Sequence, residues 1–391
     1  MSSLFSSIEI GDATSPNRIF MAPCTRNRAE MDEVPTPMMA IYYGQRASAG
    51  LLISEGVNPE PRGRGYYRVP GAYTAAHRTG WQEVARAVTD QGGRIFAQIM
   101  HCGRLSVREL QPGGELPIAP SAVPPSPTFR GMSYGCPKPD APYPTPRPLE
   151  TDEIPALIES YAAAARLLVD AGLDGVELHG ASGYLPMQFL SSNTNLRNDS
   201  YGGSIERRAR FLLDVIDAMT GAVGAGRVAV KLSPAFRFHD VHDEDPVALY
   251  THVARMLSDR GLAYVQVSDY GDYYSHAGMD PIGLVRAHYN GVLVANGGLN
   301  AVSAQALLDE GKADAVAFGS AFMANPDLPE RMRRGSPLNV ADPNTFYTGD
   351  AHGYIDYPFL GQGSGHATVA QSGTTQVDYG SFQHGRAAKV S

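Results

Sequence analysis

Cysteine is scarce in this 391-residue chain: Cys24, Cys102 and Cys136 are too few and too widely spaced for a disulfide framework or a thiolate metal site. At least one thiol is therefore expected to be unpaired. No run approaches the roughly 18 consecutive apolar residues of a membrane span, and the N-terminus has no basic segment ahead of an apolar core. The sequence thus predicts neither a membrane span nor a signal peptide, and a cytoplasmic location. Lysine and arginine form no block, and 32 basic against 40 acidic residues leave a net charge of -8. That balance argues against a nucleic-acid partner, whose phosphates call for a basic patch. Either a monomer or a homodimer is compatible with such a composition.

What the chain does have is alternation. Short runs rich in Val, Ile and Leu recur at residues 18–23, 50–55, 94–100, 175–179, 227–232, 263–267, 291–295 and 313–318. They lack a strict polar/apolar period, as strands of a parallel sheet buried on both faces do. Amphipathic helical stretches lie between them at 35–49, 81–91, 151–171, 204–219, 246–260 and 301–310. Thr151 with Glu153 predicts a capped helix start, and Gly172 and Gly261 predict stops. An α/β fold with eight strand–helix units closed into a (β/α)8 barrel is the economical solution.

The longest interruption, residues 103–150, is rich in Pro and Gly, and PIAPSAV at 117–123 reads as part of a small hairpin or cap. The barrel is expected over residues 1–360, with 104–150 as an excursion after the third strand. Residues 361–391 are polar, with little apolar content and no period, and read as a C-terminal extension that is mobile or docks elsewhere.

In this register the strand ends collect polar groups at one mouth, the C-terminal face where such barrels hold ligands. The first strand delivers Pro23, Cys24 and Thr25, and the third Gln98 and His101. The fourth delivers His179, with Ser182 and Tyr184 in its loop, and the fifth ends at Lys231. The seventh ends at Asn296, Gly297 and Gly298 and the eighth at Gly319 and Ser320, a pairing that suits a phosphorylated cofactor held by backbone N–H groups. His179 and His101 have no second strong ligand at metal spacing, so no metal is expected. Each of these residues alone reads equally well as packing; their ordered co-occurrence is the signal.

The stretches NRIFMAPCTRNRA, AQIMHCGR, APSAV, VELHGASGYLPMQFLSSNTNLRNDSYGGSIERRARF, ANGGL, ADAVAFGSAFMANPDLPERM and TFYTGDAHGYIDYP follow one another over roughly residues 3 to 360. In them the chain resembles the Old Yellow Enzyme family of flavin-dependent ene-reductases. The resemblance implies a TIM barrel with FMN at its mouth, reduced by NADH or NADPH and reoxidised by an alkene conjugated to a carbonyl or nitro group. It implies that Thr25 and Gln98 contact the flavin, and that Tyr184 donates a proton to the alpha carbon as flavin N5 delivers hydride to the beta carbon. It places Tyr347 at an aromatic rim in contact with substrate, and gives Asn193 and Arg197 a role in shaping the loop.

Apart from the name, hydride addition to such an alkene needs a donor for the oxygen that gains charge and an acid on the other face. His179 and Ser182 supply candidates for the first and Tyr184 for the second.

Three positions depart from the family pattern. Ser182 stands where the family has His or Asn, Lys231 where it has Arg beside the flavin, and Ser320 where it has Arg at the flavin phosphate. Ser182 offers a shorter donor to the substrate oxygen, and Lys231 keeps a positive charge without the guanidinium fork. Other readings stay open on these residues. One is a specialised biosynthetic flavoenzyme acting as a desaturase, isomerase or oxidase; another is a non-catalytic flavin-binding or interaction barrel. A third is a lyase using Lys231 as a Schiff-base amine.

Overall fold

The computed structural model describes residues 3–127, 142–234, 236–269, 271, 278–362 and 368–369. Eight parallel strands close on themselves: β1 (Ile19–Met21), β2 (Leu52–Val57), β3 (Ile95–Ile99), β4 (Gly175–His179), β5 (Val228–Leu232), β6 (Tyr264–Ser268), β7 (Leu293–Asn296) and β8 (Ala315–Phe318). Each pairs with its neighbours in sequence, and Val316, Ala317 and Phe318 pair with Ile19, Phe20 and Met21 to shut the ring. The helices that follow the strands are α1 (Pro37–Gly44), α2 (Ala75–Thr89), α3 (Ile154–Asp170), α4 (Ile205–Val223), α5 (Pro246–Ser258), α6 (Pro281–Arg286), α7 (Ala301–Asp309) and α8 (Leu328–Arg334). The fold is the (β/α)8 barrel that the alternation of apolar runs predicts.

Side chains alternate across each strand, so every second residue points into the barrel. Toward the N-terminal end that interior is apolar, with Phe20, Ile53, Phe96, Tyr264 and Val294 in one buried cluster. The antiparallel hairpin Ile8–Ile10 and Ala13–Ser15 sends Ile10 into the same cluster. Toward the C-terminal end the inward positions turn polar, at Gln98, Glu177, Lys231, Gln266, Ser268 and Asn296, all buried. This change of character along the axis decides which end can hold a polar ligand.

Several local expectations change. Helix α2 starts six residues before the predicted boundary, because Thr74 accepts a hydrogen bond from the backbone N of His77 and caps it. Thr151 is no cap: α3 begins without a side-chain cap, and the Thr151 hydroxyl bonds Asp199 at 2.5 Å. In the excursion, Ile118–Ala119 pairs with Arg147–Pro148 in parallel, so it forms a small parallel pair and not a hairpin. Thr368–Val369, in the polar extension, pairs antiparallel with Leu338–Asn339; the rest of that extension beyond Gln362 lies outside the described residues, as do Cys136, Phe129 and Tyr134. Among the described residues no helix is long and apolar enough to cross a membrane.

Segment 342–358 is strapped across the barrel by three fully buried arginines from the first strand–helix unit. Arg26 donates to the carbonyls of Phe346 (2.9 Å) and Gly353 (2.8 Å). Arg28 donates to those of Phe346, Thr345 and Thr348 at 2.9, 2.7 and 2.6 Å. Arg46 reaches back to Phe322 and Met323 at 2.9 and 2.7 Å. Tyr42 and Tyr354 stack at 4.1 Å, with Arg46 3.8 Å from the Tyr42 ring centre and Arg26 5.0 Å from that of Tyr354. Carbonyl dipoles and aromatic faces thus solvate guanidinium groups that water cannot reach. The cost shows in Arg28, which burial brings down to about 10.

Because Arg26→Ala would take away the close donor to the buried Gly353 carbonyl and one of two donors to the Phe346 carbonyl, and leave a cavity against Tyr42 and Tyr354, it should cost on the order of 3 kcal/mol. Hydrogen exchange should then rise first in residues 345–353, with a lower Tm; unchanged protection there would show that the strap holds without Arg26.

Candidate functional site

The polar end of the barrel is a connected network. Gln98 Nε2 donates to Glu177 Oε1 at 2.7 Å. Gln266, in the amide orientation that satisfies both neighbours, donates to Glu177 Oε2 at 3.0 Å and accepts from Lys231 Nζ at 3.3 Å. Lys231 Nζ also donates to Asn296 Oδ1 at 3.3 Å, which accepts from Ser268 Oγ at 3.0 Å, while Asn296 Nδ2 donates to the Ala317 carbonyl at 2.9 Å. Burial pushes Glu177 up to about 7, against the pull of Lys231, Gln98 and Tyr264. Strands β3 to β8 are therefore tied at one level by side chains.

Above this floor lie the residues predicted from the strand ends. Pro23, Cys24 and Thr25 follow β1 and are half-buried. Cys24 adjoins the end of β8, since a Cβ on Gly319 would lie 3.3 Å from its sulfur. Burial pushes the Cys24 thiol up, countered most by Lys231. Gly297 has φ +127, and a Cβ there would lie 1.6 Å from the Asp269 carbonyl oxygen, so only glycine fits where the loops after β6 and β7 cross. Gly298 has φ +56, and apart from its chain neighbours no atom of the described residues lies within 4 Å of where a Cβ would sit. Ser320 opens the short helix Ser320–Ala324.

His179 ends β4 and is buried, and its Nδ1 has no hydrogen-bond partner among the described residues. Burial, with Lys231 and His239 nearby, holds its imidazole well below the usual histidine range, so it is neutral at pH 7. The Tyr184 ring packs edge-on against it at 4.8 Å. Burial pushes the Tyr184 phenol well above its ordinary value, and Tyr347 is among the groups that raise it, which puts the strap within electrostatic reach of this loop. The mouth therefore brings His179 and Tyr184 together.

Ser182 has a left-handed backbone, φ +56. Its N–H donates to Ser233 Oγ at 2.9 Å and its carbonyl accepts from His239 Nδ1 at 2.5 Å, so the loop after β5 clamps the loop after β4 at both ends of one residue. Gly183 beside it has φ +78, and a Cβ there would sit 2.7 Å from His239 Cβ. Arg104 in turn donates to the carbonyls of His239 and Asp240. Asn193 donates to the Asp240 carbonyl at 2.9 Å, and Arg197 bonds Asp199 and the Pro120 and Leu149 carbonyls, holding both ends of the excursion. His101 is buried, its Nδ1 accepting from Gly103 N at 3.1 Å and its Nε2 facing Glu60 at 3.4 Å, a loop-ordering role.

Sequence reasoning missed Glu177, Gln266, Ser233 and His239. A glutamate inside the apolar run VELH was the one available signal, because a carboxylate in a strand buried on both faces needs a partner.

A closed (β/α)8 barrel with polar side chains gathered at the C-terminal mouth defines an enzyme of the barrel class. The chain matches the NADH:flavin oxidoreductase / NADH oxidase family over residues 3–339 and belongs to that family, the Old Yellow Enzyme family. It is 42% identical over 352 residues to a probable flavin mononucleotide-dependent alkene reductase of Leishmania infantum, covering 90% of this chain and 96% of that protein. It is 40% identical over 366 residues to 12-oxophytodienoate reductase 1 of Oryza sativa subsp. japonica, covering 91% and 93%. Among solved structures, morphinone reductase in complex with tetrahydroNAD superposes with a TM-score of 0.86 at 46% identity, covering 92% of this chain and 98% of that one.

Glu177 binds its proton more tightly in the folded protein, near 7, than in the unfolded chain, near about 4.3. The stability it contributes is therefore fully present below the unfolded value and is lost as pH rises through the folded one. Between pH ~4.5 and ~7.5 the wild type should lose on the order of 3 kcal/mol more unfolding free energy than Glu177→Gln. Urea unfolding across that window checks this, and parallel curves for the two proteins would count against it.

Proposed function

We infer that the protein is an FMN-dependent oxidoreductase that uses NAD(P)H to reduce an alkene conjugated to a carbonyl or nitro group. The observation that carries the site assignment is the pairing at one mouth of a buried neutral imidazole, His179, whose Nδ1 has no partner among the described residues, and a protonated phenol, Tyr184, with ring centres 4.8 Å apart.

The residues present fit the flavin. Thr25, Gln98 and Lys231 would line the ring system, with Pro23 and Cys24 beside it. Asn296, Gly297, Gly298, Gly319 and Ser320, at the ends of β7 and β8, would hold the phosphate, and among the described residues space is left beside Gly298. Bound there, FMN would supply hydride chemistry, with NAD(P)H as the reductant.

The chain's own groups do the rest. His179 donates a hydrogen bond to the substrate oxygen as negative charge grows on it, and the Ser182 hydroxyl offers a second, shorter donor. Lys231 keeps positive charge beneath the reacting centre, held by Asn296 and Gln266. That enclosure in the floor argues against a Schiff-base role. Tyr184 delivers the proton to the alkene carbon that does not receive hydride, and Tyr347 borders the opening. Such a reductase needs a supply of NAD(P)H, which suits a cytoplasmic setting.

The direct test is to denature the purified protein anaerobically and identify what it releases, then to follow NAD(P)H oxidation with a small cyclic enone. About one equivalent of FMN is expected. Tyr184→Phe should lower the rate of alkene reduction by about 10²-fold or more, and His179→Ala should weaken enone binding as well as turnover. No flavin, even after reconstitution with excess FMN, would end the redox assignment.

A further inference from the structure

The phenol that serves as acid is paired with a second phenol that the reaction described above does not use. Tyr66, in the loop after β2, places its hydroxyl oxygen 3.0 Å from that of Tyr184. Both side chains are buried, at 3% and 6% exposure, in a cluster with Met100, Cys102, Leu105, Val107, Leu110 and Tyr143. Burial pushes the Cys102 thiol up, so it is uncharged at neutral pH, and the rings of His179 and His239 pack on the other side of Tyr184.

An apolar shell of this kind makes a poor place to leave a negative charge. Burial raises both phenols well above the ordinary tyrosine value, and the hydrogen bond from Tyr66 pulls Tyr184 back down. The direction of that bond follows from stoichiometry. A hydroxyl has a single proton, and if Tyr184 is to aim its own at a substrate carbon, Tyr66 must be the donor between the two.

We propose that Tyr66 is the positioning residue of proton delivery: its O–H donates to the Tyr184 oxygen, turns the Tyr184 proton toward the substrate and stabilises the phenolate left behind. The Tyr184 O–H bond breaks, a C–H bond forms on the substrate, and the electron pair stays on the Tyr184 oxygen. Tyr66 keeps its proton throughout, and water restores the one that Tyr184 gave up. This rests on the reading of Tyr184 as the acid.

The test uses the holoenzyme and separates the two half-reactions under anaerobic conditions. Tyr66→Phe should slow reoxidation by a cyclic enone about ten- to a hundred-fold, the loss expected for one hydrogen bond to a charged oxygen. Reduction by NAD(P)H, the KM for the enone, and reoxidation by a quinone, which places no hydrogen on carbon, should stay within about twofold of wild type. A ring-fluorinated tyrosine at position 66, a stronger donor of similar shape, should restore enone reoxidation to the wild-type rate or above.

If Tyr66→Phe slows every step alike, or the fluorinated residue behaves as phenylalanine does, Tyr66 is only packing and the proposal is overturned. If Tyr184→Phe is slow and Tyr66→Phe is not, the proposal fails while the assignment of the acid stands. If Tyr184→Phe reoxidises normally, the assignment of the acid itself falls.

Discussion

Everything at this mouth depends on how the barrel buries a carboxyl group and an amine in the same layer. Eight short strands leave an interior just wide enough for side chains, with no room for bulk water. Polar groups there must satisfy one another, and Gln98, Glu177, Gln266, Lys231 and Asn296 do so as a connected set. Four successive strands, β3 to β6, are linked through Glu177 and Lys231, and β7 and β8 through Asn296. The layer is both the top of the core and the bottom of the site, so the geometry offered to a ligand is set by the same contacts that hold the ring closed.

The loops above inherit that rigidity by being tied to each other. Ser182, in a left-handed conformation that a serine adopts at some cost, is held from both sides by Ser233 and His239. His239 has a left-handed backbone too, at φ +64, and burial brings its imidazole down to about 4, so it is a neutral donor to the Ser182 carbonyl at physiological pH. Arg104, from the excursion, fastens this clamp at the carbonyls of His239 and Asp240. Three segments far apart in sequence thus decide where His179 and Tyr184 stand.

How much of this could be read beforehand varies with the range of the interaction. The eight strands were legible because burial on both faces leaves unbroken Val, Ile and Leu runs, and the runs at 175–179 and 227–232 coincide with β4 and β5 to within a residue. Helix ends were less so. The start of α2 depends on Thr74, ahead of the polar residues His77 and Arg78 that blur its apolar stripe, and Thr151 spends its hydroxyl on Asp199, which only the folded chain brings near. The parallel pairing of Ile118–Ala119 with Arg147–Pro148 joins segments almost thirty residues apart, beyond any local pattern. At the site, residues at strand ends could be placed by counting, whereas Gln266 and His239 could not, since their importance lies in partners on other elements.

The arginine strap gives the polypeptide a temporal order. Arg26, Arg28 and Arg46 belong to the first strand–helix unit, yet most of their partners are carbonyls from Phe322 to Tyr354. During synthesis these cations leave the ribosome roughly three hundred residues ahead of the carbonyls that solvate them. Until then the first unit cannot close dry around three guanidinium groups. The segment that covers these arginines is therefore fastened only after the barrel is shut, and a nascent chain stalled before residue 345 holds its first strand–helix unit open to water.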